Sequence, residues 1–185
     1  MATLELLTAA SDGDEDAVRA LMAAGLDDDS LNQALSCAVA YSHLHVAEYL
    51  MVEGAQLTWG NHDPLRCAVE NGEIAATIFC LAHGININVQ DGMVICIAAI
   101  SMPPDFIHWL ITKGADVNSN QGRALVAAII YQRLENVRVL LNHGANPHLN
   151  QQLAIREATS RVARGNQLTV DINNLVAKAA KHFPC

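Results

Sequence analysis

Gly114-Ala115-Asp116-Val117-Asn118 opens a stretch that runs through Leu125-Val126-Ala127-Ala128-Ile129 to Val137, Leu140, Leu141 and a further glycine, Gly144. Most of these marks recur through the chain at a spacing of 30 residues. Gly54, Gly84, Gly114 and Gly144 lie on that grid, and Gly25 falls one residue short of it. Leu35, Leu65, Ile95, Leu125 and Ile155 keep the same spacing, as do Ala38, Ala68, Ala98, Ala128 and Ala158. Leu50, Leu110 and Leu140 share the phase, with Cys80 in the remaining place. Markers held in one phase from Leu35 to Ile155 identify an internal repeat.

Each unit reads as two short helices. The first carries the Leu/Ile and Ala markers, as in Leu35-Ser36-Cys37-Ala38-Val39. The second has apolar residues at helical spacing, as in Val46, Ala47, Leu50 and Met51. It ends at the recurrent glycine, which fits a left-handed residue just past the helix. His83, Lys113 and His143 stand before that glycine, where positive charge meets the negative end of the helix dipole, and Glu53 breaks the preference. Helices this short are marginal alone in water, so the units must stack and bury their apolar faces on one another. The expected fold is therefore an all-α solenoid of helix-turn-helix units.

The chain has 185 residues, 51% hydrophobic but only 4% aromatic, which excludes intrinsic disorder and suggests close packing through small side chains. The longest apolar runs, Met93–Ile100 and Ala124–Tyr131, are far too short to span a membrane. The first twenty residues are acidic and do not read as a signal peptide. Five cysteines without close pairs do not make a disulfide framework, and the expected compartment is a reducing cytoplasm, of a host if the protein is a secreted effector. The net charge of −8 argues against nucleic acid or an anionic membrane as partner. It is unevenly spread. Residues 1–29 hold eight acids and Arg19 (−7), residues 30–152 nine acids and five bases (−4), and residues 153–185 two acids and five bases (+3).

These residues resemble the ankyrin repeat. The family's Thr-Pro-Leu-His-x-Ala signature is similar to Asp63-Pro64-Leu65-Arg66-Cys67-Ala68, and more faintly to Gln33–Ala38 and Arg123–Ala128. Its Gly-Ala-Asp-Val-Asn turn is matched at 114–118 and nearly so at 144–148 and 84–88. The resemblance covers about residues 4–160. The family period is about 33 residues, and the three missing here fall between each glycine and the next Leu/Ile marker. The protruding β-hairpin fingers should therefore be stubby. Pro103-Pro104 replaces the usual Gly-His and should give a rigid start to the helix that follows. The resemblance implies a single domain over 1–185. A capping unit spans 2–29, repeats span 31–59, 61–89, 91–119 and 121–149, and closing helices span 151–185.

The chain lacks a P-loop, a Gly-x-Gly-x-x-Gly, a Cys-x-x-Cys and a His-Glu-x-x-His, and the repeats leave no room for a catalytic domain. No catalytic residue, cofactor or metal is expected. His43 and His45 are two apart, a poor spacing for one helical face, and the eight histidines read as helix-end and surface residues. Cys37, Cys67 and Cys80 read as buried small hydrophobes, and Cys185 as a free thiol.

The resemblance also implies a non-catalytic module that binds a protein through its finger tips and the concave face of the first helices, as adaptor, inhibitor, or bacterial effector or immunity-type protein. The candidate contacts late in the first helices are Tyr41, Glu70, Asn71, Ile100, Ile130 and Tyr131. Those in the fingers are Trp59, Asn61, Asp91, Asn120 and Gln121. Ile100 and Ile130 are either part of an apolar strip or core, and Trp59 is either an exposed anchor or a ring folded over a neighbouring unit. The acidic balance favours a basic partner, and the expected state is a monomer. Asn118 lies where the resemblance would place an asparaginyl hydroxylation site. The alternative is a self-assembling protein, stacking head to tail through its acidic start and basic end.

Overall fold

The computed structural model describes the chain apart from residues 1, 24, 26, 163–166, 184 and 185. The described residues form twelve helices and no strand. They divide into two compact units, Met1–Asn86 and Ile87–Cys185. In the first, the helices are α1 (Ala2–Asp12), α2 (Glu15–Met22), α3 (Asp28–Ala40), α4 (Leu44–Val52), α5 (Trp59–Glu70) and α6 (Ile74–Ala82). The pairs α1/α2, α3/α4 and α5/α6 are hairpins, and α3 packs between α1 and α5. The second unit holds α7 (Val89–Ser101), α8 (Pro104–Thr112), α9 (Ser119–Ile130), α10 (Leu134–Asn142), α11 (Leu149–Val162) and α12 (Gln167–Ala180). There α7, α9 and α11 pack in one row, and α8, α10 and α12 in another.

The markers of the repeat are the core. Leu35, Leu65, Ile95 and Leu125 have no exposed surface, nor do Ala38, Ala68, Ala98 and Ala128, nor Leu50, Cys80, Leu110 and Leu140. The small alanines let neighbouring first helices approach, and the branched residues fill the space between the rows. Ile155, in α11, is only half-buried, which fits its place in the closing pair. Cys80 and Cys96 are buried, whereas Cys37 and Cys67 are half-buried rather than sealed in the core.

Helix ends follow the local chemistry. Asp14 caps α2 by accepting from the Ala17 N–H at 2.9 Å, and Asp27 caps α3 by accepting from the Ser30 N–H at 2.7 Å. The bond from Ser30 holds the Asp27 carboxyl below its usual range. The even-numbered helices α4 to α10 end in the same double bond. At α10, Gly144 N–H donates to Leu141 O and Ala145 N–H to Leu140 O, with Gly144 at φ 86°. Pro103 and Pro104 sit at the N-cap and first turn of α8, the rigid start expected of them. The residue before them, Met102, is extended, because a following proline disfavours the helical conformation.

The connections differ from the sequence expectation. The first helices begin six residues before their markers, at Trp59, Val89 and Ser119 rather than at Leu65, Ile95 and Leu125. Trp59 therefore heads α5 instead of standing in a free finger. The missing length is taken up by a left-handed turn at each start. Gln90, Asp91 and Gly92 have φ of 49°, 54° and 79°, and Asn120, Gln121 and Gly122 have 47°, 55° and 75°. Gly60, His62, Asn150 and Gln152 also have positive φ. Each turn closes on itself, as Gly92 N–H does on Asn88 O at 3.2 Å and Gly122 N–H on Asn118 O at 3.0 Å. A left-handed residue costs about 1–2 kcal/mol unless it is glycine, so the turn must be held from outside.

Candidate functional site

Asparagines at the foot of these turns tie neighbouring tips to one another. Asn88 Nδ2 donates to Gly114 O at 2.9 Å, while its Oδ1 accepts from the Asp116 N–H at 2.9 Å. One repeat later, Asn118 Nδ2 donates to Gly144 O at 3.1 Å and its Oδ1 accepts from the Asn146 N–H at 2.7 Å. A primary amide offers a donor and an acceptor side by side, which matches the backbone of the next tip. The half-buried Asn118 thus has both ends of its amide engaged.

The candidate finger residues sit on these turns. Asp91, Asn120 and Gln121 are exposed, and the Asn120 N–H donates to Asp91 Oδ1 at 3.2 Å, so these tips are brought together. In the first unit Trp59 is half-buried, and its Nε1 donates to Asp29 Oδ1 at 3.3 Å. Its ring is thus tied back to the start of α3. The side chain of Asn61 lies outside the described residues, as does Cys185.

The other candidates stand at the opposite ends of the first helices. In α9 the eight helical steps from Gly122 to Ile130 separate the two sets by about 12 Å. In the first unit Tyr41, at the end of α3, is 58% exposed. Asn71 stands beside it, its Nδ2 donating to Ala40 O at 2.9 Å. Glu70 Oε2 accepts from Arg66 Nη1 at 2.7 Å, and Asp63 and then Glu70 hold that guanidinium above its usual pKa. Asn71 and Glu70 are thereby partly committed to the architecture.

In the second unit Ile100 is half-buried, but Ile130 is 38% exposed and Tyr131 58%. One residue past Tyr131 begins an open groove of about 560 Å³, lined by Ser101–Pro104 on one side and Gln132–Asn136 on the other. Its floor is fixed by Asn136, buried at 4% exposure, whose Nδ2 donates to Ala99 O at 3.0 Å and Met102 O at 3.1 Å. Exposed aromatic and aliphatic surface beside a concave groove suits an extended segment of another chain.

The reading by residues passed over the left-handed turns and the bridging role of Asn88. A signal for both was present: Gly92 and Gly122 form a second glycine grid at 30 residues, with Asn88 and Asn118 four positions before them. Among the described residues no three His, Cys, Asp or Glu side chains are grouped to hold a metal ion. No described helix is long and apolar enough to cross a membrane.

A family model described as ankyrin repeats in three copies matches residues 6–91 and again 65–151. A search of curated proteins finds no match. Among solved structures, an ankyrin repeat domain from Acinetobacter baumannii AYE aligns over 94% of this chain and 96% of its own, with a TM-score of 0.68. It shares 23% identity, a level that bears on the fold alone. With its periodic core, paired helices and glycine-ended hairpins, the chain belongs to the ankyrin repeat family, whose repeats serve in general as protein–protein interaction modules.

Proposed function

We propose that this chain is a non-catalytic binding module that captures a protein through the ends of its first helices. The observation that carries this reading is the exposed pair Ile130–Tyr131 beside the groove lined by Met102, Pro103 and Arg133. Tyr41 supports it, because it stands at the register position of Tyr131 in its own unit and is equally exposed. The finger tips Asp91, Asn120 and Gln121 are a polar rim to the same kind of contact. Side chains more than half exposed can be truncated without emptying the core, so Tyr41→Ala/Tyr131→Ala separates binding from folding. Affinity capture from lysate should recover a protein with the wild type that the folded variant loses. Equal capture by both would move the site elsewhere and end this reading.

The acidic balance of residues 1–152 supports a basic partner, and the location proposed is the cytoplasm, either the cell's own or that of a host. Residues 1–185 are proposed to unfold as one monomeric domain, giving a single denaturant transition. Two transitions, parting near Asn86, would replace it with two domains. A second reading, head-to-tail association, is favoured by one observation. The open groove between α1 and α2 exposes Leu4 by 71% and is rimmed by Glu5, Asp12 and Asp14. A basic end such as that carrying Lys178 and Lys181 would complement it. Light scattering that finds only monomer at every concentration would exclude it.

A further inference from the structure

Two imidazoles, 35 residues apart in sequence, meet on the surface of the second unit. His108, exposed on α8, and His143, the C-cap of α10, approach to 2.8 Å between Nδ1 and Nε2, with ring centroids 4.8 Å apart. The packing of α8 against α10 creates the encounter. His143 has a counterpart two repeats earlier that is used differently: the Nδ1 of His83 turns onto Phe79 O, a carbonyl of its own helix, at 2.9 Å. His143 instead faces the neighbouring helix. Elsewhere on the grid the place of His108 is held by Glu48, Ile78 and Arg138, so the paired imidazoles occur once.

The separation of the two nitrogens is itself informative. A metal–imidazole bond is about 2.0–2.1 Å, so two nitrogens at right angles about one ion lie about 2.8–3.0 Å apart, and at a tetrahedral angle about 3.3–3.4 Å. The observed 2.8 Å is that of an N–H···N hydrogen bond, so a small rotation brings both nitrogens to adjacent positions of one ion, and Cu(II) heads the affinity order for imidazole ligands. We propose that His108 and His143 form a two-histidine chelate for a tetragonal divalent transition-metal ion, Cu(II) foremost. In the metal-free pair, one ring carries a proton at the contact nitrogen and the other accepts it. Chelation needs that ring in its other tautomer, with the proton on its second nitrogen, and a small rotation of the exposed His108 to aim both lone pairs at the ion. No net charge change on the protein is required. With no third His, Cys, Asp or Glu grouped there among the described residues, the remaining coordination positions fall to water.

The test uses the untagged full chain and copper(II) chloride, read by electron paramagnetic resonance and by quenching of Trp109, the residue after His108. The wild type should bind one equivalent with two equatorial nitrogens. H108A and H143A should each weaken binding by at least about tenfold, while H43A/H45A, which removes the other histidine pair, should leave it unchanged. H108Q and H143Q repeat the measurement with side chains that refill the space, should either alanine variant lose its circular dichroism signal. Absence of saturable binding in the wild type, binding that survives loss of either histidine, or loss of binding in H43A/H45A would each overturn the assignment.

Discussion

Gly92 shows how much a single hydrogen atom can decide. A Cβ placed there would stand 1.8 Å from Ser119 Oγ and 2.5 Å from Ser119 Cβ, on a residue already at φ 79°. Ser119 is buried and bonded to Asp116 O at 2.8 Å, so it cannot swing away without losing that bond. Gly144, at φ 86°, has nothing within 4 Å of the same construction. Gly144→Ala should therefore cost only the backbone strain, about 1–2 kcal/mol. Gly92→Ala should add overpacking and cost about 2–4 kcal/mol, read as the difference in denaturation midpoints. Similar losses in the two would mean that the Ser119 contact is easily relieved. The cysteines give a second residue-scale prediction. Burial pushes the Cys80 thiol up to about 12 and Cys96 to about 11, with the charge of Arg123 opposing the rise at Cys96. The thiolate is the reactive form, so at pH 8 both should react with a disulfide reagent at least about a hundredfold more slowly than in the unfolded chain. Stopped counting of thiols before and after guanidinium checks this, and labelling of Cys80 at the unfolded rate would contradict it.

At the scale of elements, helices are joined less by salt bridges than by side-chain amides that bond to backbone. The described ion pairs are local, such as Arg19–Glu15 and Arg138–Glu135 within single helices, and exposed pairs of this kind contribute little. Asn136 differs, because it is buried and serves two carbonyls at the end of α7. Asn136→Ala should destabilise by about 2–3 kcal/mol, since both carbonyls would lose a buried donor. Denaturant unfolding checks it, and a change below about 0.5 kcal/mol would show that solvent reaches them. This is also the scale at which sequence and structure part. The helices, their glycine ends and the Pro103–Pro104 start were readable because each is written in residues close along the chain. The left-handed starts at Gln90 and Asn120 are marked locally only by the glycines that end them, Gly92 and Gly122. Their conformation is opposed by local propensity, and the asparagines beside them, Asn88 and Asn118, find their partners 26 to 28 residues away. The same distance in sequence hid the meeting of His108 and His143.

For the molecule as a whole, charge is the property most exposed to test. Residues 1–152 carry −11 (−7 and −4), against +3 over 153–185. If that field guides a basic protein to the exposed tyrosines, association should slow as salt shortens the Debye length from about 10 Å at 0.1 M to about 3 Å at 1 M, with dissociation changed much less. Surface plasmon resonance across that range measures both, and a salt-independent on-rate would remove the electrostatic reading. The candidate surface was only partly legible from the residues. The exposure of Tyr41, Ile130 and Tyr131 is legible because a large apolar side chain at a helix end is conspicuous. The inward ties of Trp59 and Asn71 depend on neighbours that no local pattern displays. The asparagine bridges carry one more implication, for how such a chain can change its size. Asn118 grips a backbone that exists only if the following repeat arrives in register, so a single inserted residue between Asn118 and Asn146 would part the amide from its target. Duplication or deletion of thirty residues preserves every such grip. The array can lengthen or shorten by whole repeats, and smaller steps are barred by the amides themselves.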